Sequence, residues 1–566
     1  MNRSHLPLIV QSDRTVLLAV DHPLYEEARD ELARFAELEK SPEHIHTYRI
    51  TPLSLWNAAA AGLNASAIVE TLDRLSKYEI PQNIQRDIVE FIARYGQVRL
   101  TKPDDRLILE SDDPALIAEI AGQRSVKPFL VGPVDEYRLH VGGRYRGHVK
   151  QALIKLGFPV EDLAGYVTGA PLDLVLLALT RSERPFRLRE YQVTAANAFH
   201  VDGGPRGGSG VIVLPCGAGK TMVGMSVMAT LRCQTLILTA NTVALRQWRD
   251  ELLDKTSLTS DQIGEYSGEQ KVIRPVTLAT YQILTYRKSK DEDFEHFGLF
   301  NREDWGLIIY DEVHLLPAPV FRITSEIQAR RRLGLTATLI REDGREGDVF
   351  SLIGPKRYDM PWKTLERQGW IATAECREIR VNLPDELRMP YALAGSREKF
   401  RLASENPTKF AVVRALLARH PDDLILIIGQ YLKQLKQLAR EIDTPLITGS
   451  TPVQERLRLY AQFRAGEITR LVVSKVANFA IDLPDANVAI QISGTFGSRQ
   501  EEAQRLGRIL RPKRDGGPAT FYSIITRNTL DQDYAVNRQL FLTEQGYEYT
   551  IHDATEVVKE SVVGGR

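Results

Sequence analysis

Cysteine is scarce. The 566 residues contain three, Cys216, Cys233 and Cys376, far apart and without a C-x-x-C pair, which argues against a disulfide framework and against a zinc cluster. Such sparse usage suits a reducing cytoplasm. An excess of one charge is also missing: 73 Lys and Arg face 73 Asp and Glu. The chain is therefore not a strongly basic nucleic-acid coat, although a basic groove can coexist with acidic surface elsewhere. No apolar run approaches the roughly 18–20 residues needed to span a bilayer. The opening Met-Asn-Arg-Ser-His-Leu-Pro lacks the apolar stretch of a secretory signal, so the expectation is a cytoplasmic protein with no membrane partner. Short-period repeats and low-complexity tails are missing too. What is present is ordinary globular composition, 43% hydrophobic and 26% charged, in a chain too long for one core.

Residues 1–110 read as a small α+β domain. A strand-like run at Thr15–Val20 precedes helical patterns near Leu24–Leu38, Leu53–Tyr78 and Ile84–Tyr95, and Val98–Leu109 alternates like a hairpin. Residues 111–182 read as a second small domain, with a helix at Leu116–Ala121, strands near Phe129–Leu139 and a helix at Gly147–Leu156. Composition changes at the glycine-rich Val201–Gly210. Short β-branched runs then alternate with helices, at Val211–Leu214, Thr235–Leu238, Val276–Ala279, Leu307–Tyr310 and Arg332–Thr336. That pattern predicts a parallel sheet covered on both faces. It pauses over Met360–Asn406 and resumes at Leu424–Gly429, Pro445–Thr448, Leu471–Ser474, Val488–Ile492 and Ala519–Ile524. The fold class is thus α/β, with two tandem P-loop-type domains, 183–360 and 361–566, after the small α+β domains.

The sharpest signal for chemistry is Leu214-Pro215-Cys216-Gly217-Ala218-Gly219-Lys220-Thr221, between a buried strand and a helix beginning near Met222. Gly217 and Gly219 let backbone N–H groups curl around phosphate oxygens at a helix N-terminus. Lys220 is placed to reach the β- and γ-phosphates of ATP, and Thr221 to ligate Mg2+. Leu214 stands where the usual motif has its first glycine. The bland alternative is a glycine-rich turn before a helix. Some ninety residues later, Leu307-Ile308-Ile309-Tyr310-Asp311-Glu312-Val313-His314 ends an apolar strand in two carboxylates. Asp311 fits a magnesium ligand and Glu312 a residue that polarises the attacking water. Upstream, Arg189 and Gln192 in Phe186-Arg187-Leu188-Arg189-Glu190-Tyr191-Gln192 fit an adenine-reading role, because a carboxamide both donates and accepts. On its own this stretch is also a plain helix start.

Thr336 and Thr338, in Leu335-Thr336-Ala337-Thr338, offer hydroxyls at a strand end beside the nucleotide pocket. In Gln504-Arg505-Leu506-Gly507-Arg508-Ile509-Leu510-Arg511, Arg508 and Arg511 share a helical face. Their guanidinium forks suit the spread charge of a transferring phosphoryl group, against the alternative of a solvated basic helix. Thr239–Gln247, Thr280–Gln282 and Thr448–Ser450 lie at strand ends suited to contacting a DNA backbone, or to ordinary capping.

These motifs together match superfamily 2 helicases. Arg332–Thr338 running into Leu339-Ile340-Arg341-Glu342-Asp343, then Leu352–Lys356, Ser474-Lys475-Val476, Ile481–Pro484 and Gln504–Pro512, resemble the XPB family of DNA repair helicases in its bacterial or archaeal form. The resemblance runs from about Phe186 to Thr526, with weaker likeness over Leu8–Leu109. It implies an ATP-dependent 3′–5′ DNA helicase, with ATP and Mg2+ as cofactors and DNA, single-stranded, forked or distorted, as partner. Nucleotide excision repair, a repair nuclease as a further partner and a place beside the nucleoid go with it. It also implies a damage-recognition-like domain at 111–182, a thumb-like insertion about 389–403, Asp482 as a ribose or arginine-finger partner, and Arg341, Glu342 and Asp343 as DNA-engaging residues. Ala477-Asn478 replaces the Gly-Asp common after Ser-Lys-Val. Two other readings remain open: a duplex translocase that does not separate strands, and an ATP-switched DNA-binding scaffold.

Overall fold

The computed structural model describes residues 3–563, apart from 4, 41–43, 205, 216, 287–295, 297, 318, 322–323, 325–326, 328–329, 338–345, 361–364, 366–367, 369–373, 475–485, 495–517 and 545–547. Two compact units result, one built from residues 1–360 without 38–46 and 215–218, the other from 361–566 with those two stretches. No helix among the described residues is long and apolar enough to cross a membrane.

The first unit opens with β1 (Leu8–Val10), β2 (Thr15–Ala19), α1 (Tyr25–Leu32), β3 (Glu37–Lys40) and β4 (Ile45–Arg49), then α2 (Pro52–Ala60), α3 (Ala65–Leu75) and α4 (Gln82–Arg94). Its sheet order is β1-β2-β4-β3. Pro52 starts α2 with its ring in place of an N–H that no helical carbonyl would reach, and Thr51 and Ser54 form a reciprocal capping box. The single helix read over Leu24–Leu38 instead stops at Leu32, and the chain returns as β3.

A second sheet follows: β5 (Val98–Thr101), β6 (Leu107–Glu110), β7 (Leu130–Pro133), β8 (Arg138–Val141) and β9 (Val160–Asp162), ordered β7-β8-β6-β5-β9. The helices α5 (Pro114–Gly122) and α6 (Arg146–Lys155) cover it. The hairpin β5–β6 therefore pairs with the strands after residue 111, and a boundary at residue 110 cuts through this sheet. Leu100, Leu109 and Val141 share one buried core, so the pairing partner of the hairpin is set by its apolar face and not by chain proximity.

The third layer of the first unit is a seven-stranded sheet: β10 (Ser209–Val213), β11 (Thr235–Thr239), β12 (Ile263–Tyr266), β13 (Val276–Thr280), β14 (Leu307–Asp311), β15 (Arg331–Thr336) and β16 (Lys356–Asp359). The order is β12-β13-β11-β14-β15-β10-β16, and every pairing is parallel. The crossovers include α7 (Glu190–His200), which leads into the sheet, α8 (Lys220–Leu231) and α9 (Thr242–Lys255). β10, β11 and β13 are buried throughout and β14 over Leu307–Tyr310, as parallel strands covered on both faces must be.

This sheet is tied to the preceding one by ions. Asp162 of β9 accepts from Arg146 (2.8 Å) and Lys150 (2.7 Å) of α6, all three under one-tenth exposed. The guanidinium groups of Arg146 and of Arg332 on β15 lie over the Tyr166 ring, 5.1 and 5.5 Å from its centroid, and the Tyr166 hydroxyl meets Ser209 Oγ at 2.8 Å. Burial pushes the Lys150 ammonium down to about 7, with Asp162 opposing and Arg332 and Arg146 reinforcing.

The second unit repeats the architecture with β17 (Ala374–Val381), β18 (Ile425–Gly429), β19 (Leu446–Ile447), β20 (Arg470–Ser474), β21 (Val488–Gln491), β22 (Ala519–Thr526) and β23 (Glu548–Asp553), ordered β19-β20-β18-β21-β22-β17-β23 and parallel in its recorded pairings. Helices Asp385–Leu393 and Ser396–Ser404 occupy the stretch around 389–403. A fully buried Lys409–Asp531 pair at 2.7 Å joins the first turns of the helices Lys409–Arg419 and Leu530–Glu544. Lys409 also donates to the Ile492 carbonyl, and Asp531 accepts from the Thr526 amide.

Candidate functional site

β10 ends at Val213, and the chain then turns through two left-handed glycines, Gly217 (φ +79°) and Gly219 (φ +82°), before α8 begins at Lys220. A side chain is strained in that conformation, and glycine is not. At Gly219 space is short as well, since a Cβ would lie 2.5 Å from Gln192 Nε2. Gln192 is buried, and its Oε1 accepts from the Arg189 amide at 3.0 Å. The Arg189 guanidinium donates to the Tyr191 hydroxyl at 3.0 Å. The start of α7 is thus fixed against the glycine-rich turn, and Arg189, Gln192 and Gly219 form one neighbourhood.

Lys220 and Glu312 meet at 3.3 Å with both side chains about nine-tenths buried. Such a pair is held by its low-dielectric surroundings more strongly than a surface pair, and either partner alone would be costly. Glu312 sits immediately after β14 with a left-handed backbone, φ +50°, an uncommon state for a residue with a side chain and one that concentrates at functional sites. The turn sends the two acidic side chains to different partners. Asp311 accepts from the Trp248 indole N–H at 3.0 Å, and its backbone carbonyl accepts from the Tyr281 hydroxyl at 2.8 Å. Glu312 reaches Lys220, and its Oε2 lies 3.5 Å from His314 Nδ1. That same Nδ1 is 2.6 Å from Thr336 Oγ1, while the Thr336 carbonyl accepts from the Leu214 amide at 2.9 Å. Thr221 is the second residue of α8 and half-buried.

The structure thus brings together Arg189, Gln192, Gly219, Lys220, Asp311 and Glu312, with Thr336 linked through His314. Thr338, Arg341, Glu342, Asp343, Asp482, Arg508 and Arg511 lie outside the described residues. Sequence reading assigns no role to Trp248 or His314, and includes Tyr281 only within Thr280–Gln282, a segment suited to contacting a DNA backbone. The one available signal was Gln247-Trp248, a large aromatic in a helix whose neighbouring positions are polar.

Comparison with known proteins agrees with this arrangement. Residues 365–563 match the family described as "ERCC3/RAD25/XPB C-terminal helicase", residues 185–341 "Type III restriction enzyme, res subunit", and residues 8–134 "Helicase conserved C-terminal domain". The chain is 57% identical over 557 residues to the "DNA 3'-5' helicase XPB" of Mycobacterium tuberculosis, covering 98% of this chain and 99% of that protein. It is likewise 57% identical to the protein of that name from Kineococcus radiotolerans, covering 97% of each. With the "General transcription and DNA repair factor IIH helicase/translocase subunit XPB" of Encephalitozoon cuniculi it shares 34% identity over 96% of this chain and 82% of that one. The two parallel sheets are therefore the tandem RecA-like domains of an ATP-using helicase, and the chain belongs to the XPB family.

Proposed function

We propose that this chain is a DNA-dependent ATPase that separates duplex DNA with 3′–5′ polarity, in nucleotide excision repair. The observation that carries the reading is the paired Lys220 and Glu312 beside a fixed Asp311, in a chain so similar to two proteins named as DNA 3'-5' helicases.

The residues present fit ATP and Mg2+. Gly217 and Gly219 bare backbone N–H groups ahead of a helix N-terminus, where phosphate is favoured. Bound ATP·Mg2+ supplies the phosphoryl group whose transfer to water drives the cycle. Lys220, paired with Glu312 at 3.3 Å, would turn its charge to the β- and γ-phosphates. Thr221 and Asp311 would hold the metal. Glu312, released from Lys220, orients water and accepts its proton. Arg189 and Gln192 read the adenine edge. Asp482 meets the ribose or an arginine finger, and Arg508 and Arg511 spread the developing phosphoryl charge. Arg341, Glu342 and Asp343 engage DNA, the helical pair near 389–403 acts as a thumb, and residues 111–182 sense distorted duplex. Contacts to DNA are mainly to phosphate and so depend on salt. A repair nuclease is the expected protein partner, and the nucleoid the expected place of action.

The decisive experiment measures ATPase rate with and without DNA, together with strand displacement on duplexes carrying a 3′ or a 5′ tail. DNA-stimulated turnover and displacement only from the 3′ tail are expected. Turnover unaffected by DNA would overturn the motor reading. A second reading, duplex translocation without strand separation, draws support from the "helicase/translocase" name of the Encephalitozoon cuniculi relative. Displacement of a triplex strand without duplex opening would favour it.

A further inference from the structure

We infer that Trp248 and Tyr281 are positioning residues that fix Asp311 and make its metal-holding geometry depend on two segments suited to a DNA backbone. The inference rests on the reading of Asp311 as a magnesium ligand.

Trp248 lies on α9, the helix that follows β11, and Tyr281 directly follows β13. Both are buried, at 1% and 3% exposure. The indole N–H holds the Asp311 carboxylate through Oδ2, and the Tyr281 hydroxyl holds the Asp311 backbone carbonyl. One residue is thereby pinned at side chain and main chain by aromatics from two elements, Trp248 within α9 and Tyr281 directly after β13. Donors that orient a ligating carboxylate are as much part of a metal site as the ligand itself.

The indole is also fitted to α8. A Cβ at Gly224 would lie 2.5 Å from Trp248 Cη2, so the absence of a side chain one turn beyond Lys220 and Thr221 is what admits the ring. Trp248 consequently touches the helix that carries Lys220 and the strand that carries Asp311. Its own helix is capped by Asn241, which accepts from the Ala244 amide, and Arg246 and Gln247, just before Trp248, are exposed. These segments, Thr239–Gln247 and Thr280–Gln282, are the strand ends suited to a DNA backbone. A shift of either on binding DNA moves an aromatic that holds Asp311, which gives DNA a direct route to the metal site.

The test uses the full-length protein. Trp248→benzothienylalanine keeps the ring shape and removes the N–H, and Tyr281→Phe removes the hydroxyl. Mn2+ affinity of the protein–ADP complex is read by electron paramagnetic resonance, with and without duplex DNA, and metal-free ADP affinity by fluorescence in EDTA. Each variant should bind Mn2+ about tenfold more weakly or worse, with metal-free ADP affinity unchanged and with the effect of DNA on Mn2+ affinity lost. Mn2+ affinity within about twofold of the parent, well short of that range, or an equal fall in metal-free ADP affinity, overturns the proposal. Asp311→Asn separates the two levels. If it leaves Mn2+ affinity intact, the magnesium reading of Asp311 fails. If it weakens Mn2+ binding and the aromatic variants do not, the positioning role alone fails.

Discussion

The carboxamide of Gln192 fills the space that a side chain at Gly219 would occupy, 2.5 Å from where its Cβ would stand. Gly219 is also left-handed, at φ +82°. Gly219→Ala therefore meets both a steric and a conformational obstacle, the latter alone about 1–2 kcal/mol. The expected result is at least about tenfold weaker ATP binding together with a measurably lower melting temperature. Gln192→Ala should relieve the clash in the double variant while erasing preference for ATP over GTP. Equilibrium binding of fluorescent ATP and GTP analogues to the three variants checks both points. Unchanged discrimination in Gln192→Ala would remove Gln192 from base recognition.

Lys220 and Glu312 neutralise each other in a nearly closed setting, so their removal should have opposite effects on nucleotide binding. Glu312→Gln frees the ammonium and removes the base. ATP should bind as well as or better than before, while turnover falls by about 10²–10⁴. Lys220→Ala leaves Glu312 facing the phosphates and should abolish both binding and turnover. Binding by calorimetry beside steady-state ATPase separates them. A Glu312→Gln variant that loses affinity as severely as Lys220→Ala would make Glu312 a structural residue.

The parallel strands around this site are legible in the sequence because they are buried on both faces and so read as unbroken apolar runs, as in Leu307–Tyr310 or Ile425–Ile428. β17 is not legible for the converse reason. It lies inside its sheet, yet Glu375, Arg377, Glu378 and Arg380 interrupt it. These charges are satisfied locally, Arg377 on Glu375 and Arg380 on Glu378, each at 2.7 Å, and the Tyr549 hydroxyl donates to the buried Glu378. Such pairing is a property of the fold that no alternation pattern carries. The phosphate-loop and acidic motifs were legible because their chemistry demands fixed spacing. Trp248 and Tyr281 were not, since an aromatic in a helix or after a strand usually means packing, and only the distances to Asp311 distinguish the two. The hairpin over Val98–Leu109 is legible as a hairpin, but its membership of the second sheet depends on long-range pairing.

The Asp162 cluster sets an acid limit on stability. Burial would raise this carboxyl, but Lys150 and Arg146 outweigh it and hold Asp162 below the usual carboxylate range. A folded-state pKa below the unfolded one, near 3.9, means that the unfolded chain takes up the proton first. The stabilisation is complete above about pH 5 and declines as pH falls through and below about 4. Asp162→Asn should remove that acid dependence. It should also cost about 3–5 kcal/mol at neutral pH, since Arg146 and Lys150 are left buried without their counter-charge. Melting temperatures by calorimetry at pH 7 and pH 4 test both statements. A variant as stable as the parent at pH 7 would show that the cluster is hydrated and contributes little.

Thr336 offers a sharper separation of binding from work. Its hydroxyl lies 2.6 Å from His314 Nδ1, and that nitrogen is 3.5 Å from Glu312 Oε2. The Thr336 carbonyl meanwhile takes the Leu214 amide, at the entrance to the glycine-rich turn. The residue therefore connects the acidic pair to the strand ahead of the phosphate loop without belonging to either. After the four residues Ala337-Thr338-Leu339-Ile340 comes Arg341-Glu342-Asp343, the segment proposed to engage DNA. Thr336→Val keeps the branched shape of a fully buried side chain and removes one hydrogen bond, at a cost of about 1 kcal/mol, so the fold should survive. Lys220, Asp311 and Glu312 are left intact, and basal ATPase should stay within a few-fold of the parent. What is lost is the link by which a change at Glu312 is passed along β15, so strand displacement should fall by more than about tenfold, the effect of some 1.4 kcal/mol of lost coupling. Both assays need one preparation, with circular dichroism to confirm folding. Parallel loss of basal ATPase would place Thr336 in the catalytic machinery, and unchanged displacement would reduce it to core packing.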